Sequence, residues 1–268
     1  MTEIRRMQPL LGTYVEIGAH GEAASDALVT AAFAAVRNIH DLASFQSPDS
    51  VLTQLNRNPG VWMELPCHLL RLLRIAREMT RRSDGLFNCT VGGDLVALGV
   101  LPDHGGPPAL LRGEADDIEL QGRQARLRCP VRITLDGIAK GFAVDRAIAV
   151  LRHGGAESAW VNAGGDLRVF GDLQLPVQRR EADESLTFLG HVRDAAVASS
   201  VLRSSPDTRY PGFLVGGAAE SETRTWTVLA RQAWRADALT KVAALAADDR
   251  RDALLEKLGG ILLRPALP

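Results

Sequence analysis

The sequence has almost no net charge, although 24% of its residues are charged. It contains 31 basic and 32 acidic residues, which gives a formal net charge of −1. A protein that binds nucleic acid through bulk electrostatics needs a concentrated basic surface. The composition therefore argues against a nucleic-acid partner. The arginine pairs are scattered along the chain: Arg5-Arg6, Arg81-Arg82, Arg179-Arg180 and Arg250-Arg251.

Cysteines and long apolar runs are also scarce. The three cysteines, Cys67, Cys89 and Cys129, are odd in number and are not at metal-ligand spacing, which favours reduced thiols over a disulfide framework or a zinc site. No segment reaches the roughly 18 apolar residues that a membrane-crossing helix needs. Residues 1–7 lack the apolar run of a signal peptide. We therefore expect no membrane insertion and a cytoplasmic location.

The periodic segments of the chain predict an α+β fold. With 268 residues, the chain can bury a sizeable core, as one large domain or as two closely joined lobes. Strand-like patterns cluster apart from the helical ones instead of alternating with them. The predicted helices cover 25–42, 51–56, 66–82, 138–152, 236–247 and 249–258. The predicted strands cover 10–17, 118–121, 124–128, 131–135, 158–162, 166–170, 186–192, 225–230 and 261–263, with surface segments at 99–116 and 172–184.

The most informative segment is residues 133–145, where an apolar strand pattern runs into a helix start at Asp136 and Gly137. Asp136 can cap this helix by accepting from its first free N–H groups, and Gly137 leaves its own carbonyl accessible. Lys140, one turn into the helix, can reach a phosphate bound at the helix start. The alternative is an ordinary capped corner between strand and helix, with a surface lysine.

A second glycine corner follows at Asn162-Ala-Gly-Gly-Asp166, after the next predicted strand. Gly164 and Gly165 let a ligand approach the backbone closely. Together, the two corners predict a site for a phosphate-bearing ligand. On its own, the second corner also fits a tight hairpin turn, because Asn and Gly readily adopt positive φ.

Two further segments carry side chains suited to a nucleotide site. Phe87 and Asn88, close to Thr90, follow the glycine end of a predicted helix, and an aromatic ring beside an amide can hold a flat heterocycle. The alternative is a helix C-cap with Phe87 in the core. Asp237 and Lys241 lie four residues apart on one side of a predicted helix. They form either a plain helical ion pair or, if further oxygen donors lie nearby, part of a metal site.

In this order and at these spacings, the segments resemble the ApbE family, the FAD:protein FMN transferases. Leu11-Gly12-Thr13 resembles the family's N-terminal Met-Gly-Thr, and residues 44–56 resemble its Ser-aromatic…Ser…Leu-Asn segment. The resemblance implies an α+β fold of two lobes with mixed or antiparallel sheets and flanking helices, in a single domain over 1–268. It also implies FAD in the cleft between the lobes and Mg²⁺ on the FAD pyrophosphate. The implied reaction moves FMN to a Thr or Ser of a partner flavoprotein and releases AMP.

The resemblance also assigns roles to individual residues. It makes Lys140 and Asp237 the catalytic candidates, and it gives the metal the backbone oxygen of Gly137 and the carboxylate of Asp237. Cleavage of a pyrophosphate calls mainly for positioning and charge neutralisation, which these groups suit. The residues expected to contact the flavin nucleotide include those of the two corners. They are Leu11, Phe45, Leu86, Phe87, Asn88, Thr134, Asp136, Lys140, Asn162, Gly164 and Gly165.

The sequence departs from the family's pattern in two places. Lys241 stands where the family usually has a threonine as third metal ligand, so that its ammonium can sit in place of Mg²⁺ beside Asp237. Thr240 can supply a hydroxyl only in a different helix register. The family's His-x-x-Asp-Pro-x-Thr-Gly segment has no counterpart, since residues 210–217 contain neither His nor Asp. These losses leave a second hypothesis open, a catalytically impaired flavin-nucleotide-binding paralogue without Mg²⁺-dependent transfer.

Overall fold

Helices packed on antiparallel sheets make up the fold, which confirms the α+β prediction. The computed structural model describes residues 3–181, 185–202 and 224–265. The helices are α1 (Asp26–Ala43), α2 (Val51–Arg57), α3 (Cys67–Arg82), α4 (Gly92–Ala97), α5 (Ala139–His153), α6 (Ala233–Leu245) and α7 (Asp248–Leu258). The strands are β1 (Glu3–Leu10), β2 (Thr13–His20), β3 (Met63–Glu64), β4 (Ile118–Gln121), β5 (Gln124–Leu127), β6 (Ser158–Ala163), β7 (Asp166–Phe170), β8 (Gln174–Arg180), β9 (Leu186–Arg193), β10 (Ala196–Leu202), β11 (Arg224–Ala230) and β12 (Gly260–Leu262).

The main sheet has seven strands in the order β1-β2-β6-β7-β10-β11-β12, and its neighbouring strands run antiparallel. Two smaller sheets have the orders β3-β5-β4 and β8-β9. Helix α5 packs against α1 and α6, and α6 packs against β10 and β11. The first turns of α5 and α6 therefore meet close to the end of the sheet where β6 turns into β7.

The predicted helices agree best with the structure where apolar residues recur at regular helical spacing over several turns. All five apolar positions expected to be buried on α3 are buried: Leu69, Leu72, Leu73, Ala76 and Met79. Helix α1 begins at the predicted cap, where the Ser25 side chain accepts a hydrogen bond from the Leu28 N–H. A side chain that satisfies a free N–H group at a helix start fixes that start locally, which is why the sequence alone defines it.

The first predicted strand, 10–17, is wrong at its start. Leu11 and Gly12 form the turn of a hairpin, both with positive φ (57° and 69°), and Leu10 pairs with Thr13 across it. Strand β1 has no predicted counterpart, because polar and apolar residues do not alternate regularly along this edge strand. Strand β10 was also missed, and β8 lies within the segment 172–184, which was predicted only as surface.

Residues 131–135 do not form the predicted strand. Arg132 makes an isolated bridge to Val91, and a side chain pairs with Ile133: the Ile133 N–H donates to Asn56 Oδ1 at 2.7 Å, and Asn56 Nδ2 donates to the Ile133 carbonyl at 2.8 Å. The Thr134 N–H donates to the Cys89 carbonyl at 2.9 Å. The apolar pattern predicts the burial of these residues correctly. Their backbone, however, is hydrogen-bonded by loop residues and by an asparagine side chain instead of by a neighbouring strand. Within the described ranges, no helix is long and apolar enough to cross a membrane.

Candidate active site

Two tight turns lie against each other at one end of the main sheet. The β1–β2 turn contains Leu11, whose positive φ is uncommon for a residue with a branched side chain. In the β6–β7 turn, Gly164 and Gly165 have φ values of 60° and 100°, and the Gly165 N–H donates to Asn162 Oδ1 at 3.1 Å. A Cβ on Gly164 would lie 2.5 Å from Thr13 Oγ1. The predicted glycine corner is therefore a hairpin turn in direct contact with the N-terminal hairpin.

The two predicted corners are joined by an ion pair between Lys140 on α5 and Asp166 at the start of β7. Lys140 Nζ lies 3.8 Å from Asp166 Oδ2. The lysine side chain is 36% exposed and the aspartate side chain 2%. Among the described residues, no group within hydrogen-bonding distance donates to Asp166 Oδ2. The structure thus brings Lys140 to the second corner and leaves its side chain partly exposed.

The charges around this pair shift its titration. Burial, together with the charge of Asp237, raises the pKa of the Asp166 carboxyl from its ordinary 3.8 to about 7. The charge of Asp166 in turn raises the pKa of Lys140. Removal of a carboxylate from water disfavours its ionised form, and a neighbouring carboxylate acts in the same direction. Asp237 is therefore close enough to affect the ionisation of Asp166, although 71 positions separate them in the sequence.

A second ion pair joins Asp237 and Lys241 on α6. Lys241 Nζ donates to Asp237 Oδ1 at 2.5 Å, to the Asp237 carbonyl at 3.0 Å and to Ser200 Oγ at 3.3 Å. Asp237 is 1% exposed and Lys241 16%. The buried hydroxyl of Thr240 donates to the Asp237 carbonyl and pairs with Ser200 Oγ, both at 2.7 Å. The predicted helical ion pair is present, and it is buried.

Each of the two helices caps the start of the other. Asp237 Oδ2 on α6 accepts from the Gly141 N–H in the first turn of α5, at 3.2 Å. Asp145 on α5 accepts from the Ala233 and Trp234 N–H groups in the first turn of α6, both at 3.0 Å. Arg168 on β7 pairs with Asp145. Burial raises the pKa of Asp145, and the charge of Arg168 opposes that rise. The reciprocal caps fix the first turns of both helices, and with them Lys140 and Asp237.

This arrangement corrects the cap predicted for Asp136. Helix α5 begins at Ala139, with Ile138 at the cap position and no side chain capping from there. Asp136 lies in the preceding turn, exposed, and its own N–H faces Thr134 Oγ1 at 3.4 Å. The prediction failed because Asp237 supplies a carboxylate to this helix start from 96 residues away, and no local sequence pattern reports such a contact.

Comparison with known proteins agrees with this fold. A family model described as the ApbE family matches residues 11–262. The chain belongs to the ApbE family. A Rhodobacter capsulatus relative named FAD:protein FMN transferase is 32% identical over 180 residues, which cover 61% of this chain and 34% of that relative. The chain therefore matches about a third of the length of that relative.

Solved structures of similar fold include the flavin transferase ApbE from Vibrio cholerae, at a TM-score of 0.78 and 19% identity, covering 96% of this chain and 91% of that one. The ApbE protein from Thermotoga maritima has a TM-score of 0.78 and 21% identity, covering 98% and 94% of the two chains. The apo flavinyl transferase ApbE from Pseudomonas stutzeri has a TM-score of 0.77 and 17% identity, covering 97% and 94%. At these identities, the structures establish the fold.

In this ApbE-family chain, the aromatic segment lies beside the first corner. The Phe87 ring comes within 3.4 Å of the place a Cβ would take on Gly137, and Phe87 is 4% exposed. Leu86 is partly buried and packs against the core. The Asn88 amide donates to the Gly113 carbonyl at 3.0 Å and accepts from the Thr90 N–H at 2.8 Å. The structure therefore brings Phe87 to the site and uses the Asn88 amide to hold the surrounding loops.

Phe45 has a different environment. It is 2% exposed and packs in a small apolar cluster with Leu95 and Leu101. Its carbonyl bonds His104 Nε2 at 2.7 Å. These contacts explain its burial without reference to a ligand, so its place in a flavin cleft stays a prediction. The segment that lacks the family's His and Asp, residues 210–217, lies outside the described residues.

The residues assigned to Mg²⁺ do not fit that ion. Both carboxylate oxygens of Asp237 are engaged, one by Lys241 Nζ and the other by the Gly141 N–H. The part of the chain that the structure describes contains no group of three or more His, Cys, Asp or Glu residues arranged to hold a metal. Mg²⁺ requires near-octahedral oxygen coordination, whereas the group closest to Asp237 here is an ammonium.

A cavity of about 970 Å³ lies elsewhere on the surface. Four arginines line it, Arg71, Arg74, Arg123 and Arg235, along with the Trp234 ring. None of the residues predicted to bind the flavin nucleotide lines this cavity. We therefore assign the candidate site by its chemistry, to the two ion pairs beside the β6–β7 turn.

Proposed function

We propose that this chain binds FAD and transfers its FMN portion to a Thr or Ser of a partner flavoprotein, with release of AMP. The Rhodobacter capsulatus relative is named for that activity, and the family match spans every segment of the candidate site. The observation that carries the proposal is the convergence of two lysine–aspartate pairs beside two tight turns, with the Lys140 side chain partly exposed.

A site of this kind suits a diphosphate. Phosphoryl transfer depends on positioning and on neutralising the charge of the phosphate oxygens, more than on covalent chemistry by the protein. Lys140 provides an ammonium at the first turn of a 15-residue helix, where the helix dipole also favours negative charge. We assign phosphate binding to Lys140, with Asp166 as the residue that orients it.

The proposed reaction is a nucleophilic substitution at phosphorus. The hydroxyl oxygen of the acceptor bonds to the phosphorus of the FMN portion, and its proton passes to water. The bond between that phosphorus and the bridging oxygen breaks, and AMP leaves. In the family, Mg²⁺ supplies part of the charge neutralisation, but we derive no step through it in this chain because Asp237 is already fully engaged.

The same proposal covers the arrangement of the nucleotide. We propose that residues 1–268 form one domain of two lobes, with the flavin nucleotide in the cleft between them. Asp237 would act by holding the start of α5, which carries Lys140. The cytoplasm stays the predicted compartment. The residues proposed to line the nucleotide site are Leu11, Phe45, Leu86, Phe87, Asn88, Thr134, Asp136, Asn162, Gly164 and Gly165.

The test is transfer by the purified full chain. FAD is incubated with a candidate acceptor flavoprotein, AMP is measured by chromatography, and covalent flavin is detected by in-gel fluorescence. We expect AMP and fluorescent acceptor to form together, and neither to form on an acceptor whose target Thr or Ser is replaced by Ala. Saturable FAD binding without AMP or labelled acceptor, across several acceptors, would contradict the transferase proposal.

A further inference from the structure

The Lys241 side chain contacts Asp237 and passes close to Gly137, the two residues that the family resemblance assigns to Mg²⁺. Its ammonium contacts the Asp237 carboxylate and carbonyl, at 2.5 and 3.0 Å. Its Cε and Cδ atoms lie 3.3 and 3.7 Å from the position a Cβ would take on Gly137. The side chain therefore runs past the α-carbon of Gly137 and ends on Asp237.

The ammonium is held as a fixed cation. An ammonium has three N–H donors, and here they meet three acceptors: Asp237 Oδ1, the Asp237 carbonyl and Ser200 Oγ. The lysine side chain is 16% exposed and its aspartate partner 1%. A buried carboxylate strongly requires a partner, so Asp237 keeps Lys241 in place.

The local charge balance also favours a resident cation. Without Lys241, Lys140 would be the one cation among the described groups whose charge acts on Asp166, and Asp166 and Asp237 together would leave an excess of one negative charge. Lys241 offsets that excess from within the chain. It also blocks the approach of Mg²⁺ to Asp237, because the ammonium and a metal ion cannot occupy the same position beside the Asp237 carboxylate.

We propose that Lys241 replaces the divalent cation in this chain, so that the flavin diphosphate binds without Mg²⁺ and is contacted by Lys140. The proposal rests on the proposed function for the identity of the nucleotide, but its claim about the cation concerns the free protein. It implies that substitution of Lys241 by Thr, which removes the ammonium and adds a hydroxyl one turn from Asp237, opens a divalent-cation site.

The experiment has two arms, each run on the parent chain, K241T and K257T. Lys257 is exposed on α7, so K257T controls for loss of a lysine charge. In the first arm, Mn²⁺ alone is added to the free protein and its binding is followed by electron paramagnetic resonance. In the second arm, FAD is titrated by quenching of its fluorescence, in EDTA and in Mg²⁺. Circular dichroism checks that each variant is folded.

We expect the parent and K257T to bind no Mn²⁺ tightly and to show FAD dissociation constants within about twofold of each other in EDTA and Mg²⁺. For K241T, we expect Mn²⁺ binding and FAD affinity at least about tenfold higher with Mg²⁺, equivalent to roughly 1.4 kcal/mol. Tight Mn²⁺ binding by the parent, or FAD binding by the parent only with Mg²⁺, would overturn the proposal while leaving the proposed function standing.

The two arms separate the possible failures. Absence of FAD binding in every condition would overturn the proposed function, and the Mn²⁺ arm would still decide whether Lys241 fills the cation position. If K241T does not fold, the parent alone decides the question. If Lys241 replaces the cation, the parent binds no Mn²⁺ tightly and binds FAD equally well in EDTA and in Mg²⁺. If a divalent cation is needed, the parent binds Mn²⁺ or binds FAD only with Mg²⁺.

Discussion

At the scale of single residues, the Lys140–Asp166 pair joins a buried group to an accessible one. Asp166 is 2% exposed and Lys140 36%, so the carboxylate holds the lysine from the interior while the lysine side chain stays partly exposed. Burial of a carboxylate is costly unless a cation or hydrogen bonds compensate it. The pair therefore links local stability to the group proposed to meet the phosphate.

The first prediction concerns the ammonium of Lys140. Replacement by Met keeps the length and apolar stem of the side chain but removes its charge. A charge-assisted contact contributes about 1.5–3 kcal/mol, so FAD affinity in K140M should fall about 10- to 100-fold, as measured by quenching of flavin fluorescence. K257M, which removes an exposed lysine charge on α7, should leave the affinity unchanged. Equal affinities for the parent and K140M would exclude Lys140 from the binding site.

At the scale of elements, α5 and α6 depend on each other for their caps. Each helix start receives a carboxylate from the other helix, Asp237 for α5 and Asp145 for α6. Gly141 permits the close approach, because a Cβ there would lie 2.3 Å from the Ala233 carbonyl oxygen. The two helices thus form one structural unit that holds Lys140, Asp237 and Lys241.

The second prediction tests the cap of α6. D145A removes the acceptor of two backbone N–H groups and leaves Arg168 without its partner. We expect the free energy of unfolding, measured by urea titration, to drop by about 3 kcal/mol, the range found when one member of a buried ion pair is removed. In D172A, the lost pair is exposed, with Asp172 92% accessible, and the change should stay below about 1 kcal/mol. Similar losses in both variants would disprove the capping role.

The third prediction tests the helix contact itself. G141A places a Cβ against the backbone of α6, which cannot move aside without displacing the helix, so it should destabilise the protein by about 1–3 kcal/mol despite the better helix propensity of alanine. G137A is the matched control, because its Cβ would meet only the flexible Lys241 stem and the Phe87 ring, at 3.3 and 3.4 Å. If thermal denaturation shows G141A to be as stable as the parent, the close approach is not needed.

At the scale of the whole molecule, the sequence predicts those features that depend on residues close together in the chain. The stripe on α3 and the Ser25 cap of α1 were both correct because each depends on residues within a few positions of one another. The pairing of Lys140 with Asp166 and the cap that Asp237 gives α5 were not predictable, since they join distant residues. Strand β10 was missed because its small residues, Ala196 to Ser200, carry a weak strand pattern.

The fourth prediction concerns the pH dependence of global stability. The pKa of Asp166 is about 7 in the folded protein, against an ordinary 3.8, so between these values the folded state holds a proton that the unfolded state has released. Stability from this group is therefore complete below about pH 4 and is lost as the pH rises to about 7. In D166N, this part of the loss should disappear. Urea titrations from pH 4.5 to 7.5 check it, and parallel stability profiles for parent and D166N would refute it.

The reciprocal caps also bear on the order in which the chain matures during its synthesis. The partners Asp145 and Ala233 are separated by 88 positions, and Gly141 and Asp237 by 96. While the ribosome is still translating the segment between them, the first half of each pair is already made but cannot be satisfied. Lys140 therefore reaches its final position only after α6 has been made, and a chain that stops before α6 would lack the contact that fixes the start of α5.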